Sequence, residues 1–243
     1  MLALPVAKNS GVRPGVVLTA FVGQKEITAP GVVEGLDISE GVVISASGVT
    51  LRNCRIRGTS WAIVLVLANA PNTLIEFCDI LSINHAGGAK GIEVDGATRC
   101  RIRRNDISNV EDGIYASGSG HIFQDNYIHN LHADSADPHY DGIQLVGGES
   151  HDIKIFHNNV DVAIDDNSAV GAGNVMNVLI DSNRMSGGGY TCYIDGRFGS
   201  GACTGNAVTN NRFGTHTFGY MSFEAPCAPV VTGNVDDVTG LPI

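Results

Sequence analysis

A His- and Asp-rich run, His132-Ala133-Asp134-Ser135-Ala136-Asp137-Pro138-His139-Tyr140-Asp141, passes directly into a short apolar stretch, Gly142-Ile143-Gln144-Leu145. A histidine flanked by carboxylates can be held in one tautomer and made a better base, and its ordinary titration range suits proton transfer near neutrality. Pro138 restricts the backbone between Asp137 and His139 and so helps fix their direction. Asp137, His139 and Asp141 are therefore the first candidates for acid–base work, with Tyr115 as a further proton carrier. Each has a plainer alternative. His139 would otherwise be a loop histidine capping a turn, and Asp141 precedes Gly142 as Asp112 precedes Gly113, a repetition that fits a turn-forming aspartate.

Other side chains could hold a ligand. Lys90 or Arg197 would bind a substrate carboxylate, the arginine through two parallel hydrogen bonds. His85 and His132 lie in the loops nearest the motif, and Tyr140 lies within it. With Glu93, Asp112 or Asp141, one of Asp165 and Asp166 could help supply oxygens to Ca²⁺, which takes about six to eight. No strict calcium motif is present, the histidines lack transition-metal spacing, and no metal ligand set is assigned. Tyr190, Tyr193 and Tyr220 stand near flexible glycine and would either stack on sugar faces or cover a tapering core.

What positions these residues is an internal repeat. An apolar residue, two mostly polar positions, often Asn, one residue and a second apolar residue recur. The instances are Leu51…Cys54-Arg55-Ile56, Ile75…Cys78-Asp79-Ile80, Ile102…Asn105-Asp106-Ile107, Phe123…Asn126-Tyr127-Ile128, Ile155…Asn158-Asn159-Val160, Ile180…Asn183-Arg184-Met185 and Val208…Asn211-Arg212-Phe213. The closing apolar residues are 24, 27, 21, 32, 25 and 28 positions apart, as expected of variable loops on a constant frame. A second register follows the first at Ala62-Ile63, Gly91-Ile92, Gly113-Ile114, Gly142-Ile143, Ala163-Ile164, Tyr193-Ile194 and Tyr220-Met221. Strands this short cannot bury an apolar side alone, so the repeats must stack. The fold predicted is all-β: a single-stranded right-handed parallel β-helix of roughly eight to ten coils. In it the Asn column would stack turn on turn, with Cys54 and Cys78 in its place at the early coils.

Residues 1–47 are expected to form an N-terminal arm, cap and irregular first coils. Residues 48–224 would be the regular helix, and 225–243 a last partial coil and tail. An arm across the open end would hide unpaired strand edges.

If the second-register Ile column faces in, the following residues face out: Val64, Glu93, Tyr115, Gln144, Asp165, Asp195 and Ser222. This strip, with Gln144 and Asp165 at its centre and small residues beside it, is the predicted binding surface. Solvated surface is the plainer reading for any one of its members.

The bulk composition narrows the partners. Acidic residues number 25 against 15 basic, a formal net charge of −10, and no run of Lys or Arg offers a track for a phosphate backbone, so nucleic acid is an unsuitable partner. The longest apolar run, residues 61–68, falls far short of a bilayer span, and no signal sequence is evident. The six cysteines form no CxxC pair; Cys192, Cys203 and Cys227 are close enough in repeat terms for a bridge, with buried free thiols as the alternative.

With this repeat, the chain resembles the pectate-lyase-like superfamily of right-handed β-helices over nearly its whole length. More narrowly, His139-Tyr140-Asp141-Gly142-Ile143-Gln144, Gly15-Val16-Val17-Leu18-Thr19 and Gly187-Gly188-Gly189-Tyr190-Thr191 are similar to segments of small bacterial and phage β-helix proteins. Asp137-Pro138-His139 is similar to the Asp-Pro-His of alginate epimerases and related lyases, which implies proton-transfer roles for Asp137 and His139. The Tyr-Gly that precedes that motif in the epimerases is Ser135-Ala136 here.

The resemblance implies an extended polysaccharide or oligosaccharide as partner and an extracellular or virion-associated location. The leading expectation is a polysaccharide lyase acting on a uronic-acid glycan by β-elimination. His139 or Tyr115 would take the C5 proton, and Lys90, Glu93, His132, Tyr140, Gln144, Asp165, Tyr193, Asp195 and Arg197 would contact substrate. The alternatives are a glycoside hydrolase using two of Asp137, Asp141 and Asp165, a C5-epimerase, or a non-catalytic, glycan-binding phage tail component, which would be a homotrimer.

Overall fold

The computed structural model describes residues 3–84, 89–132, 134, 139–162 and 167–243. They form a right-handed parallel β-helix whose strands fall into three sheets, ten, nine and nine strands deep among the described residues. Successive coils contribute one strand to each sheet, and every named strand pair is parallel.

The first-register columns hold throughout. Leu51, Ile75, Ile102, Phe123, Ile155, Ile180 and Val208 are register partners in one sheet. Ile56, Ile80, Ile107, Ile128, Val160, Met185 and Phe213 are partners in another. All of these are buried in one continuous core. A column of apolar side chains stacked about 4.8 Å apart removes each rung's inner face from water, which a lone three-residue strand could not do.

The corner between those two columns carries the predicted Asn ladder. The Asn126 backbone N–H and side-chain Nδ2 both donate to Asn158 Oδ1, at 3.0 and 2.9 Å. The same double bond runs from Asn105 to Asn126, Asn158 to Asn183, Asn183 to Asn211, and Asn211 on to Asn234. Before each ladder residue the chain enters the left-handed region, as at Arg104, Asp125, His157, Ser182 and Asn210, which turns it sharply. Such a turn takes backbone N–H groups out of the sheet, and the Asn amides satisfy them in the dry interior.

The second-register column needs correcting in three places. The inward residues are Val64, Ile92, Ile114, Ile143, Val170, Cys192 and Met221, so Val64, Val170 and Cys192 stand where Ile63, Ile164 and Ile194 were expected. The outward column is Leu65, Glu93, Tyr115, Gln144, Gly171, Tyr193 and Ser222. Val64 is fully buried, and Gly171 and Tyr193 take the places given to Asp165 and Asp195.

The arm runs along the flank of the helix instead of across its end. Asn159 donates to the Pro5 carbonyl, Gly11 N–H to Arg104, and Val12 N–H to Asp79, while the Arg13 guanidinium lies over the Phe77 ring. Residues 19–44 already supply strands to all three sheets. Cys203 and Cys227 form a disulfide; Cys54, Cys78, Cys100 and Cys192 are buried thiols.

Candidate active site

The second sheet, which holds the Lys90–Val94, Asp112–Ser119, Asp141–His151, Ser168–Ala172 and Tyr190–Asp195 strands, gathers most of the chemistry. Its strands open on Lys90-Gly91-Ile92, Asp112-Gly113-Ile114 and Asp141-Gly142-Ile143. In these triplets the glycine faces the core. A Cβ at Gly91, Gly113 or Gly142 would collide with Ile107, Ile128 or Val160 and with a carbonyl oxygen of the next rung, so only glycine fits. The residue before each glycine is thereby turned outward, and Lys90, Asp112, Asp141 and Ser168 stand on consecutive rungs.

These side chains lie just beneath the surface rather than on it. Lys90 is 5% exposed, Asp112 4% and Asp141 0%. Lys90 Nζ is 3.7 Å from Asp112 Oδ2, 3.7 Å from the Trp61 ring centroid and 4.6 Å from that of Tyr115. Asp112 Oδ1 accepts the Asp141 backbone N–H. On the far side, Asp141 accepts from Ser168 Oγ at Oδ1 and from Asn167 Nδ2 at Oδ2, 3.0 Å away. The same Asn167 amide lies 3.1 Å from His139 Nδ1, and the His139 backbone N–H donates to Glu111 Oε1.

Burial of two neighbouring carboxylates has the expected electrostatic result. Asp112 is pushed up to about 8, first by removal from water, then by the charge of Asp141, with Lys90 opposing. Asp141 is raised as well, by burial, with the Ser168 and Asn167 hydrogen bonds opposing. The pair therefore holds a proton at neutral pH, and the side chain whose anion is directly hydrogen-bonded by two donors is Asp141. Tyr115 is raised by burial, then by Asp112 and Glu93, which suits its phenol to donating a proton-bearing hydrogen bond and not to serving as the base. Tyr193 is pushed up to about 12, chiefly by burial.

Of the residues singled out in the sequence, the structure brings Lys90, Glu93, Tyr115, His139, Asp141, Gln144 and Tyr193 onto this one face. Glu93, Tyr115, Gln144 and Tyr193 follow one outward column. Asp137, Asp165 and His85 lie outside the described residues. Tyr140 is not a ligand-facing residue: it is 5% exposed and belongs to the core. His132 is exposed and pairs with Asp134 at 3.2 Å. Asp195 and Arg197 are taken up with each other in a two-pronged pair at 2.9 and 2.6 Å, which holds the Asp195 carboxyl below its usual range, and Asp195 lies two positions past Tyr193 along its strand.

Sequence reasoning missed Asp112 as a reactive group, along with Trp61, Asn167 and Ser168. The available signal was the triplet itself: Lys, Asp and Asp before Gly-Ile on three successive repeats place charge where a coil must bury it. As for metals, no group of three or more His, Cys, Asp or Glu converges among the described residues. Asp112 faces a lysine ammonium, a donor set that does not fit Ca²⁺.

A family model described as a right handed beta helix region matches residues 31–130. No curated protein matches the chain. Among solved structures the chain is similar to the Dettilon tailspike protein, at 15% identity over 89% of this chain and 59% of that one, with a TM-score of 0.46. It is similar to the Agl-KA catalytic domain at 15% identity over 85% of this chain and 48% of that one, TM-score 0.50. A third is the catalytic domain of a GH87 alpha-1,3-glucanase in complex with tetrasaccharides, at 12% identity over 96% and 71%, TM-score 0.36. At these identities the likeness is one of fold, and the chain spans about half to three-fifths of the length of the first two.

Proposed function

We propose that this chain is a carbohydrate-active β-helix protein that hydrolyses glycosidic bonds by acid–base catalysis at Asp112 and Asp141. The observation that carries the reading is the pair itself: two buried carboxylates on register-neighbouring rungs, joined by the Asp141 N–H donating to Asp112, under a face lined by Trp61, Tyr115, Gln144 and Tyr193. Glycoside hydrolysis needs one carboxyl that is still protonated at working pH and one that is ionised, and unlike environments separate the two. Asp112 is the proton donor to the leaving oxygen. Asp141, its anion held by Ser168 and Asn167, faces the positive charge that develops at the sugar and takes the proton of the attacking water. Lys90 fixes the Asp112 carboxyl through its ammonium and is itself held between two aromatic rings. His139, joined to Asp141 through Asn167, positions that amide.

β-Elimination on a uronic acid, the expectation drawn from the Asp-Pro-His resemblance, would need a cation free to offset the substrate carboxylate. Among the described residues the cation at the pair is Lys90, which lies against Asp112. The Agl-KA structure, a catalytic domain, shares the coil fold, which supports placing catalysis on such a scaffold.

A panel of neutral and uronic-acid polysaccharides tests the proposal. New reducing ends without ultraviolet absorbance, lost in Asp112→Asn and Asp141→Asn, are the expected result. Ultraviolet-absorbing unsaturated products would mark a lyase and overturn the hydrolytic reading; no product on the whole panel would favour a binder.

A further inference from the structure

Next to the carboxylate pair, on its C-terminal side, the second sheet carries a cavity of about 240 Å³ lined by Asn167, Gly189, Tyr190, Tyr193 and Phe218. From this cradle we infer that the ligand is a neutral glycan, one of whose pyranose rings seats among Tyr190, Tyr193 and Phe218 directly beside Asp141. The inference rests on the hydrolytic reading of the neighbouring pair and adds the substrate class to it.

Three observations support it. First, the cradle is built rather than incidental. The Phe218 N–H donates to the Gly189 carbonyl at 2.7 Å, and the Gly189 N–H donates to Asn167. Tyr190 is the register partner of Gly219, and a Cβ at Gly219 would crowd the Tyr190 ring, so glycine leaves that ring its place. The Tyr190 and Phe218 rings are 5.8 Å apart and inclined at 52°, and both are exposed. Phe218 is 70% exposed, a cost to solubility that a ligand-facing ring explains.

Second, the cradle is continuous with the reacting groups. Asn167 lines it and also donates to Asp141. The Tyr193 ring lies over Gly171, at the spot where Asp141 Oδ1 and Ser168 Oγ also converge. A ring seated there has its neighbouring glycosidic bond over the pair.

Third, the charge is wrong for an acidic sugar. The cradle's described lining holds aromatic rings, a glycine and one amide, with no Lys or Arg, and the titratable groups acting on Tyr193 are three carboxyls, those of Asp141, Asp195 and Asp112. The whole chain carries a net −10. Aromatic faces stack on the C–H faces of an uncharged pyranose, while a uronate would be repelled.

The test uses the full chain carrying Asp112→Asn, so that turnover does not confound binding. Calorimetric titration would compare neutral gluco-oligosaccharide tetramers of α-1,3, α-1,4, β-1,3 and β-1,4 linkage with oligogalacturonate and oligomannuronate tetramers. At least one neutral series should bind, the uronates should not, and Phe218→Ala or Tyr190→Ala should each weaken binding about tenfold. Tyr190→Phe should restore it, which separates a lost ring from a lost fold. Tighter binding of the uronates, unchanged affinity in both alanine variants, or no neutral tetramer bound would overturn the inference. Binding that depends on the rings in a chain that never releases reducing ends would leave the cradle and remove the hydrolytic reading. Reducing ends released at the same rate by Phe218→Ala and Tyr190→Ala would do the reverse.

Discussion

Replacing Asp112 with asparagine should make this protein more stable at pH 8 than its parent, and by an amount that vanishes at pH 4. Asp112 titrates near 3.8 when unfolded and is pushed up to about 8 when folded. Between those values the native state keeps a proton that the unfolded chain has released, so stability falls as pH rises through that window and levels off above about 8. Each pH unit in the window costs about 1.4 kcal/mol, which gives on the order of 5 kcal/mol across it. Asparagine keeps the shape and accepts the Asp141 N–H but carries no titrating proton, so the share of the slope that Asp112 supplies should disappear. Urea denaturation of both proteins at pH 4, 5, 6, 7 and 8 measures the difference. Curves that stay parallel across that range would refute the buried, proton-holding carboxyl at Asp112.

Asn158→Ala should cost about 2–5 kcal/mol in denaturant melts, because the Asn126 N–H loses its acceptor and the Phe123 carbonyl its donor inside a dry corner. Gly113→Ala should destabilise by about 1–3 kcal/mol or more, since its methyl would meet Ile128 and the Gly142 carbonyl; an unchanged melting temperature would contradict the assigned register. Removing the Cys203–Cys227 disulfide by a double serine substitution should cost about 3 kcal/mol in the same melts. Arg197→Ala should leave product formation unchanged, because Arg197 is exposed and spent on Asp195; a lost activity would return it to the site.

The scaffold was legible because its determinants are periodic. Two apolar columns recur from coil to coil and the Asn column runs from Asn105 to Asn234, and each follows from a local demand: bury one face, or satisfy a sharp turn. The second-sheet register slipped where that demand is met by small residues. Ser168-Ala169-Val170-Gly171-Ala172 carries no isoleucine, so Ala163-Ile164 matched the pattern better while the actual rung lay six positions on. Cys192 is likewise a small core residue that a search for Ile passes over, and Ile194 is the next inward position along the same strand. Asp112 escaped because Asp-Gly is the ordinary language of turns. What makes it different is the neighbour one coil away, and the distance between Asp112 and Asp141 in the sequence, 29 residues, hides a contact between adjacent rungs. Asn167 and Ser168 were hidden for the same reason. Tyr140 misled in the opposite direction: an aromatic beside a polar motif looks like a ligand contact, and here it fills core.

The most direct measurement is the rate at which Asp112→Asn hydrolyses two substrates sharing one glycone: an oligosaccharide, whose leaving oxygen needs a proton, and an activated aryl glycoside, whose leaving group does not. With Asp112 as the proton donor, the loss should be roughly 10²–10⁴-fold on the oligosaccharide and far smaller on the aryl glycoside. Equal losses on both, or none on either, would contradict Asp112 as the proton donor.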